Sequence, residues 1–359
     1  MINRVLRDCS GMALVLTLLA VSFLVAVTVQ LGTSVNWQMQ AAANQRNIVQ
    51  LDAMLLSGLH LARAALLADQ QENDFDSGLD SWGEFEPDTL AGIFTDGRMG
   101  INVTDLSGLL QVNALVLTKE EKDRRAKEEE AANRKKKAGA RRKGKKPKKD
   151  PEKVQQDLWK RFLLSENVAV EDEDAAAGLV DSLADWLDED DDERENGAEL
   201  GYYNSLDPSY VPANRPIMFR EELLLVKGWN KQLLYGGKER TGIIDYLTIA
   251  GQDGKININT APAQVLQALS DAMTEEFVVD LIDFRNIKEN RDRLAEPGWY
   301  RQVGGFPGDI SFEKDLLTTS SSYFLVTITA RIDRLQRTGN GVIHRKKNNE
   351  QELLYWKIE

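Results

Sequence analysis

A chain of 359 residues with 42% apolar content is long enough for two domains with real cores, which excludes a disordered polymer. One cysteine, Cys9, and two histidines, His60 and His344, exclude a disulfide scaffold and argue against a thiolate or histidine metal centre and a Ser-His-Asp triad. The net charge of −12 conceals a split: Lys119 to Asp150 holds 16 Lys/Arg against 7 Asp/Glu, leaving 29 basic against 50 acidic residues elsewhere, and so acidic a body argues against nucleic acid as the main partner.

At the N-terminus, Arg4 and Arg7 precede an apolar run from Met12 to Leu31 broken only by Thr17, Ser22, Thr28 and Gln30. Twenty helical residues span roughly 30 Å, the thickness of a bilayer core. The arginines predict that the short N-terminal end stays in the cytoplasm while the remainder crosses. A cleaved secretory signal needs a shorter apolar region and a small-x-small site after it, and Gln30-Leu31-Gly32 is a poor one. A plain signal anchor is the other reading. Ser10-Gly11 lies before the apolar run, however, a layout that resembles the type III signal of pilins and pseudopilins, cut after glycine with the apolar helix retained. The cut falls between Gly11 and Met12. Most pilin-like chains carry glutamate at the fifth mature position; here it is Leu16. A bilayer carboxylate is costly unless paired, so Leu16 points to a subunit with no neighbour to neutralise it, at the distal end of a filament. Otherwise Leu16 is ordinary membrane filler.

Beyond the membrane, Val49, Leu51, Leu55, Leu56, Leu59 and Leu66 recur at helical spacings, predicting an amphipathic stalk to about Ala68, broken by Asp69–Asn73. Gly97–Leu106 reads as a strand, and Tyr323–Ile332 as a stronger one rich in β-branched and aromatic residues. Gly339-Asn340-Gly341 is expected to turn the chain into Val342-Ile343-His344, and Leu353–Ile358 closes a small antiparallel sheet. The residues between read mainly as helix, an α-domain inserted into a strand-containing module. They carry a weak repeat: Asp105–Gly108 leads to Val112–Leu115, and Gln252–Lys255 leads to Ile258–Pro262 with a helix over Ala263–Leu269. Further helices are expected over Ala176–Leu187 and Glu275–Arg285, with Thr260 as an N-cap. Such hairpins occur in nucleic-acid-binding proteins, yet these lack a basic face and read as packing elements. Lys119–Asp150 has no apolar periodicity and reads as a solvated loop.

Asp185-Trp186-Leu187-Asp188 runs into Glu189–Glu193 and closes at Gly197-Ala198-Glu199. Carboxylates this dense repel one another unless a cation neutralises them, and oxygen ligands without His or Cys point to calcium. Counted from Asp188, positions 1, 3, 5 and 12 are Asp188, Asp190, Asp192 and Glu199, but position 6 is Glu193 where an EF-hand turn requires glycine. The expectation is an irregular calcium site drawing on Asp185, Asp188, Asp190, Asp192 and Glu199; the alternative is a solvated acidic turn.

In this order, the Gly11 leader, Leu79-Asp80-Ser81-Trp82, Asp105-Leu106-Ser107-Gly108, Asp185-Trp186-Leu187-Asp188, Gly197-Ala198-Glu199, Tyr202-Tyr203, Ala213-Asn214-Arg215-Pro216 and Asn257–Pro262 resemble general secretion pathway protein K, the large minor pseudopilin family of type II secretion systems. That resemblance implies an α+β fold, a long N-terminal pilin-type helix and small antiparallel sheet with a SAM-like, helix-hairpin-helix-like α-domain inserted. It divides the chain into a leader (1–11), a transmembrane part (12–31), a periplasmic stalk (32–68), a first part of the β module (69–106), an inserted α-domain (107–300) and the rest of the β module (301–359). Within the insertion lie the basic loop (119–150), the calcium-type loop (185–203) and the second hairpin unit (252–285). It further implies calcium as cofactor, the I- and J-type minor pseudopilins and the major pseudopilin as partners, processing by prepilin peptidase with methylation of the new N-terminus, and anchorage in the inner membrane of a Gram-negative cell. The expected role is a non-enzymatic one: to form the pseudopilus tip and prime assembly. Three features depart from the family: Met12 replaces phenylalanine, Leu200 stands where an acid often follows Gly-Ala-Glu, and the basic insertion is extra. Two other functions remain as alternatives, a minor pilin or nucleic-acid receptor of a DNA-uptake system, and a periplasmic hydrolase using a carboxylate pair of the acidic loop, for which no nucleophile is identifiable.

Overall fold

The computed structural model describes residues 10–83, 85, 94, 96–117, 127, 150–166, 168, 170–237 and 240–359. Arg4 and Arg7 lie outside them, as does the basic insertion apart from Lys127 and Asp150. Helix α1 (Ser10–Glu72) is continuous over 63 residues, roughly 95 Å at the rise of an α-helix. Strand β1 (Arg98–Asp105) follows, and then a largely helical stretch begins. It holds β2 (Leu110–Gln111), α2 (Pro151–Leu163), α3 (Glu173–Leu187), α4 (Leu200–Asn204), α5 (Lys231–Tyr235), β3 (Leu247–Thr248), β4 (Ile256–Asn257), α6 (Ala263–Gln267), α7 (Glu275–Asn286) and β5 (Leu317–Thr318). The chain then returns through β6 (Tyr323–Ile332), β7 (Leu335–Arg345) and β8 (Gln351–Ile358), which with β1 form an antiparallel sheet of order β1-β6-β7-β8.

The two halves of α1 have different surroundings. Its large apolar side chains from Met12 to Met39 are exposed apart from the half-buried Val27, and among the described residues none buries its most apolar window. From Leu51 onward a stripe of Leu51, Met54, Leu55, Leu59, Ala62 and Leu66 packs on the sheet, meeting Phe324, Val326 and Ile328 of β6. Steps of three and four residues keep that stripe on one face. Val49 and Leu56, included in the expected stripe, are exposed, because each is rotated off it at about 100° per residue. The helix also continues four residues past Ala68. Asp69 does not break it, since its carboxylate faces inward and meets Arg345 at 3.0 Å.

Strands Gly97–Leu106, Tyr323–Ile332 and Leu353–Ile358 are found within a few residues of where periodicity predicts them. The glycine pair is a correction. Gly339 and Gly341 lie in the middle of β7, opposite Ile328 and Val326, and the turn between β6 and β7 is at Asp333, with φ of 52°. The glycines are there for the indole of Trp356 on β8: a Cβ on Gly339 would lie 2.5 Å from the ring and one on Gly341 2.9 Å.

Local signals place the helices. Asp150, expected to end the basic loop, instead caps α2: its Oδ1 accepts from Glu152 N at 3.1 Å, with Pro151 in the first turn. Asp172 caps α3 through Ala175 N at 2.8 Å, and Thr274 caps α7 through Phe277 N at 3.3 Å. Thr260 is not an N-cap. Pro262 holds that position on α6, and the Thr260 hydroxyl donates to Asp105 Oδ2 at 2.5 Å. The two copies of the weak repeat are therefore bonded to each other, Asp105 of the first to Thr260 and Asn257 of the second. The helical core also continues past residue 300, with Val303, Ile310, Phe312, Leu316 and Leu317 buried in it. Packing thus carries this unit to β5, beyond the boundary expected at 300/301.

Helical unit and sheet meet in a buried polar seam. The Arg345 guanidinium bonds Asp69, both carboxylate oxygens of Asp76, and the carbonyls of Leu66 and Ser321. Asp76 is pushed up to about 8 by burial, with Arg345 pulling it back. Among the described residues no cation pairs with Asp105; Asn257, Thr260, the Ser321 hydroxyl and Ser107 N donate to it, and burial raises its pKa. Asn259 donates to the backbone oxygens of Asp76 and Leu294 and accepts from Trp299 Nε1 at 2.7 Å, carrying the seam into the helical core. Removing one member of a buried ion pair strands its partner at about 3–5 kcal/mol. Arg345→Met is therefore expected to lower unfolding free energy by about that amount in denaturant titration; a loss comparable to that of an exposed arginine would contradict the role assigned to it.

Candidate functional site

Helix α3 delivers the acidic loop. Its inward stripe of Ala176, Leu179, Val180, Leu183, Ala184 and Leu187 is buried, and Asp185 lies on the packed side of the last turn, 0% exposed. Beneath the loop is an aromatic cluster: Trp186 packs edge-on against Tyr203 at 5.2 Å, and Tyr203 meets Tyr202 at 5.2 Å and Tyr210 at 5.3 Å. Lys227 closes the far side, its ammonium donating to Gly197 O at 2.7 Å and lying 5.1 Å from the Tyr202 ring centre.

Asp185 is fully committed. Its Oδ1 accepts from Arg194 Nη1 at 2.5 Å, and its Oδ2 from Ala198 N at 2.8 Å and Arg194 N at 3.3 Å. Asp188 Oδ2 accepts from the same Arg194 Nη1 at 2.6 Å, but its Oδ1 has no partner. Glu199, only 4% exposed, has none on either carboxylate oxygen. Nor has Asn214 Oδ1, although its Nδ2 donates to Asp190 O and Asp191 Oδ1, both at 3.3 Å. Buried polar atoms without partners are rare in folded proteins. Asp188 Oδ1, both Glu199 oxygens and Asn214 Oδ1 are thus four buried acceptor atoms without a partner among the described residues, the kind of donor set that a cation or outside hydrogen-bond donors could satisfy.

The electrostatics agree. Burial, and then the charges of Asp185, Asp188, Asp191 and Asp190, push the Glu199 carboxyl up to about 8. Burial pushes Asp188 up to about 6 despite its bond to Arg194, and raises Asp185 as well. For Arg194 burial works against the charged form, but its bonds to Asp185 and Asp188 outweigh it and the guanidinium is held more firmly protonated. Arg194 bonds two of the three buried carboxylates, Asp185 and Asp188.

Of the five ligands expected from the sequence, Asp185, Asp188 and Glu199 are buried together at this place. Asp190 and Asp192 are exposed, and Asp190 Oδ1 is used by Asp192 N at 3.1 Å to hold its own turn. The spacing of an EF-hand is therefore not realised as one. Among the described residues no three carboxylate, thiol or imidazole side chains converge as a metal-binding set; the point shared by Asp185 and Asp188 is held by Arg194. Arg194, a lone cation in an acid-rich run, gave no signal in the sequence, and Asn214 stood out only as part of Ala213-Asn214-Arg215-Pro216, its place against the loop being hidden by its distance in sequence. Gly11, Met12 and Leu16 lie exposed on α1, and Leu200 is exposed at the start of α4.

Gly197 in Gly-Ala-Glu is explained by close approach: a Cβ there would lie 1.8 Å from Asp185 Oδ2. That oxygen is fixed by two backbone donors, so the clash displaces the carboxylate. Gly197→Ala is expected to lower stability by about 1–3 kcal/mol, in the range of overpacking, read from the melting curve of the purified chain; an unshifted curve would show that Asp185 moves freely.

Comparison with known proteins points one way. Residues 108–235 and, separately, residues 256–298 match family models described as type II secretion system (T2SS), protein K. The type II secretion system protein K of Pseudomonas aeruginosa is 27% identical over 313 residues, covering 85% of this chain and 81% of that protein. The protein of the same description from Aeromonas hydrophila is 27% identical over 199 residues, 53% of this chain and 56% of the relative. In fold, the chain resembles one in the crystal structure of the GspK-GspI-GspJ complex from the enterotoxigenic Escherichia coli type 2 secretion system, with a TM-score of 0.57, 16% identity and coverage of 89% of this chain and 99% of the other.

Proposed function

We infer that this chain, a member of the type II secretion system protein K family, works as a minor pseudopilin: a structural component of a secretion machine, anchored in the membrane by its N-terminal apolar helix. The observation that carries the finer reading is the position of the helical unit on α1. Arg291, in the turn after α7, donates to Glu72 at the last residue of α1 and to Asp80 beside it. The inserted α-domain is thereby fastened at the end of α1 away from its apolar half. In a filament built by stacking such helices side by side, mass at that end obstructs the next subunit above while leaving the lower flank free.

The proposed arrangement follows. Prepilin peptidase cuts between Gly11 and Met12. The exposed apolar half of α1 crosses the inner membrane once, and the bulk of the chain lies in the periplasm. There the bare flank of α1 packs against I- and J-type minor pseudopilins, and the complex primes polymerisation of the major pseudopilin beneath. Leu16 fits a subunit needing no charge pairing with a neighbour above. A nucleic-acid receptor finds no support in an acidic body. Calcium is proposed for the acidic loop. Asp188, Glu199 and Asn214 supply hard oxygen donors without partners, which suits an ion taking six to eight oxygens. When bound, calcium would neutralise charge that Arg194 alone leaves uncompensated.

Co-expression with the I and J minor pseudopilins of the same organism is expected to yield a complex that co-purifies; this chain eluting alone would remove the tip assignment. Chelating calcium is expected to lower the melting temperature by several degrees, since about 1 kcal/mol shifts a midsize domain by roughly 2–4 °C. An identical melt with and without chelator would return the loop to a solvated acidic turn.

A further inference from the structure

We propose that Arg194 is a built-in competitor for the metal: its guanidinium holds the cation position between Asp185 and Asp188 when no divalent ion is present and is displaced when one binds. The inference rests on the calcium reading above and deepens it. The first observation is geometric. A single nitrogen, Arg194 Nη1, touches both carboxylates, at 2.5 Å from Asp185 Oδ1 and 2.6 Å from Asp188 Oδ2. Those separations fall in the range of calcium–oxygen bonds, about 2.3–2.6 Å, so the nitrogen occupies the point that an ion bridging the same oxygens would take. Both cannot be there at once.

The second observation is what Arg194 leaves undone. Its guanidinium reaches Asp185 Oδ1 and Asp188 Oδ2, but Asp188 Oδ1 and both oxygens of Glu199 have no partner among the described residues, and Glu199 is almost wholly buried. A guanidinium is planar and tethered, and it carries one charge against three buried carboxylates. A divalent ion brings twice the charge and accepts oxygens from every side. A monovalent ion brings no more charge than Arg194 already provides. Displacement is thus open to divalent ions and gains little for sodium or potassium.

The third observation is that the displaced group has somewhere to go. The Arg194 side chain is 23% exposed, and its backbone N–H independently bonds Asp185 Oδ2. The side chain can swing outward on a fixed backbone, where Glu189, Asp190, Asp191, Asp192 and Glu193 all lie exposed. The consequence is a loop that remains folded without metal, with a divalent affinity set by competition and not by the ligands alone.

The test uses the full chain in detergent, with calcium chloride as the only added ligand, and three forms: the unaltered chain, Arg194→Gln and Glu199→Gln. Competition predicts opposite signs for Arg194→Gln: a lower melting temperature in chelator, and calcium binding in titration calorimetry tighter by roughly tenfold, an ordinary coupling between two ligands. A purely structural arginine predicts that stability and calcium affinity fall together, and that result, or an unchanged affinity, overturns the inference. Glu199→Gln separates the two claims. Calcium binding by the unaltered chain that is weakened by Glu199→Gln upholds the site, whatever Arg194→Gln shows; no heat of binding from any form removes the site, and the competitor with it. Should Arg194→Gln unfold without metal, it is purified in calcium and its affinity read by competition with a chelator of known strength, with the same outcomes.

Discussion

The structure turns on a charge problem solved at one place: Arg345, buried at the end of β7, neutralises Asp69 at the end of α1 and Asp76 in the loop that follows. Burying these groups without mutual neutralisation would be prohibitive. Once paired they fix the end of α1 and the loop after it to β7, 269 to 276 residues on, because each carboxylate needs the guanidinium in one orientation. Asp105 extends the arrangement without a cation among the described residues, its four donors coming from Asn257 and Thr260 of the helical unit and from Ser107 and Ser321 beside the ends of β1 and β6. Apolar packing alone holds α1 against the sheet but leaves it free to slide along its own stripe. The seam removes that freedom and sets where the helical unit sits relative to the helix end.

The acidic loop poses the same problem and solves it only in part. Both places bury three carboxylates near one arginine. At the seam, backbone and side-chain donors reach every Asp105 and Asp76 oxygen. At the loop, Glu199 and half of Asp188 are left bare. A buried acceptor without a donor costs about 1–3 kcal/mol, and more when charged. The seam is accordingly a structural element, while the loop keeps buried acceptors that no donor among the described residues satisfies. The aromatic cluster of Trp186, Tyr203 and Tyr210 keeps it from relaxing by collapse.

Exposure separates the parts that serve the fold from those that serve assembly. Among the described residues nothing buries the most apolar stretch of α1, and large bare apolar surfaces of this kind mark contact with lipid or partner proteins. Lipid and neighbouring helices are what such a surface fits. The second half of the same helix is sealed against the sheet by six buried side chains. One continuous element therefore joins an apolar helix fit for a membrane anchor to the core of the sheet.

How much of this was legible in the sequence depends on the range of the physics involved. The long helix, strands β1, β6 and β8, α3 and α7 follow from local periodicity and caps, and the acid-rich loop from composition; these are properties of neighbouring residues. The ordered series of motifs from Gly11 to Asn257–Pro262 likewise led to the family. Where long-range contacts compete with local signals, the local reading failed. Gly339 and Gly341 carry a turn signal, but Trp356 from another strand requires them flat and bare. Asp69 looks like a helix breaker until Arg345, 276 residues away, pairs with it. Thr260 looks like a cap until Asp105 claims its hydroxyl. In the acidic loop, sequence supplied the carboxylates, while tertiary structure decided which of them are buried. Asp185, Asp188 and Glu199 point inward because α3 and the aromatic cluster hold them there; Asp190 and Asp192 face water because nothing does. Local chemistry determines which groups a chain possesses, and only packing determines which of them lose water and must find a partner.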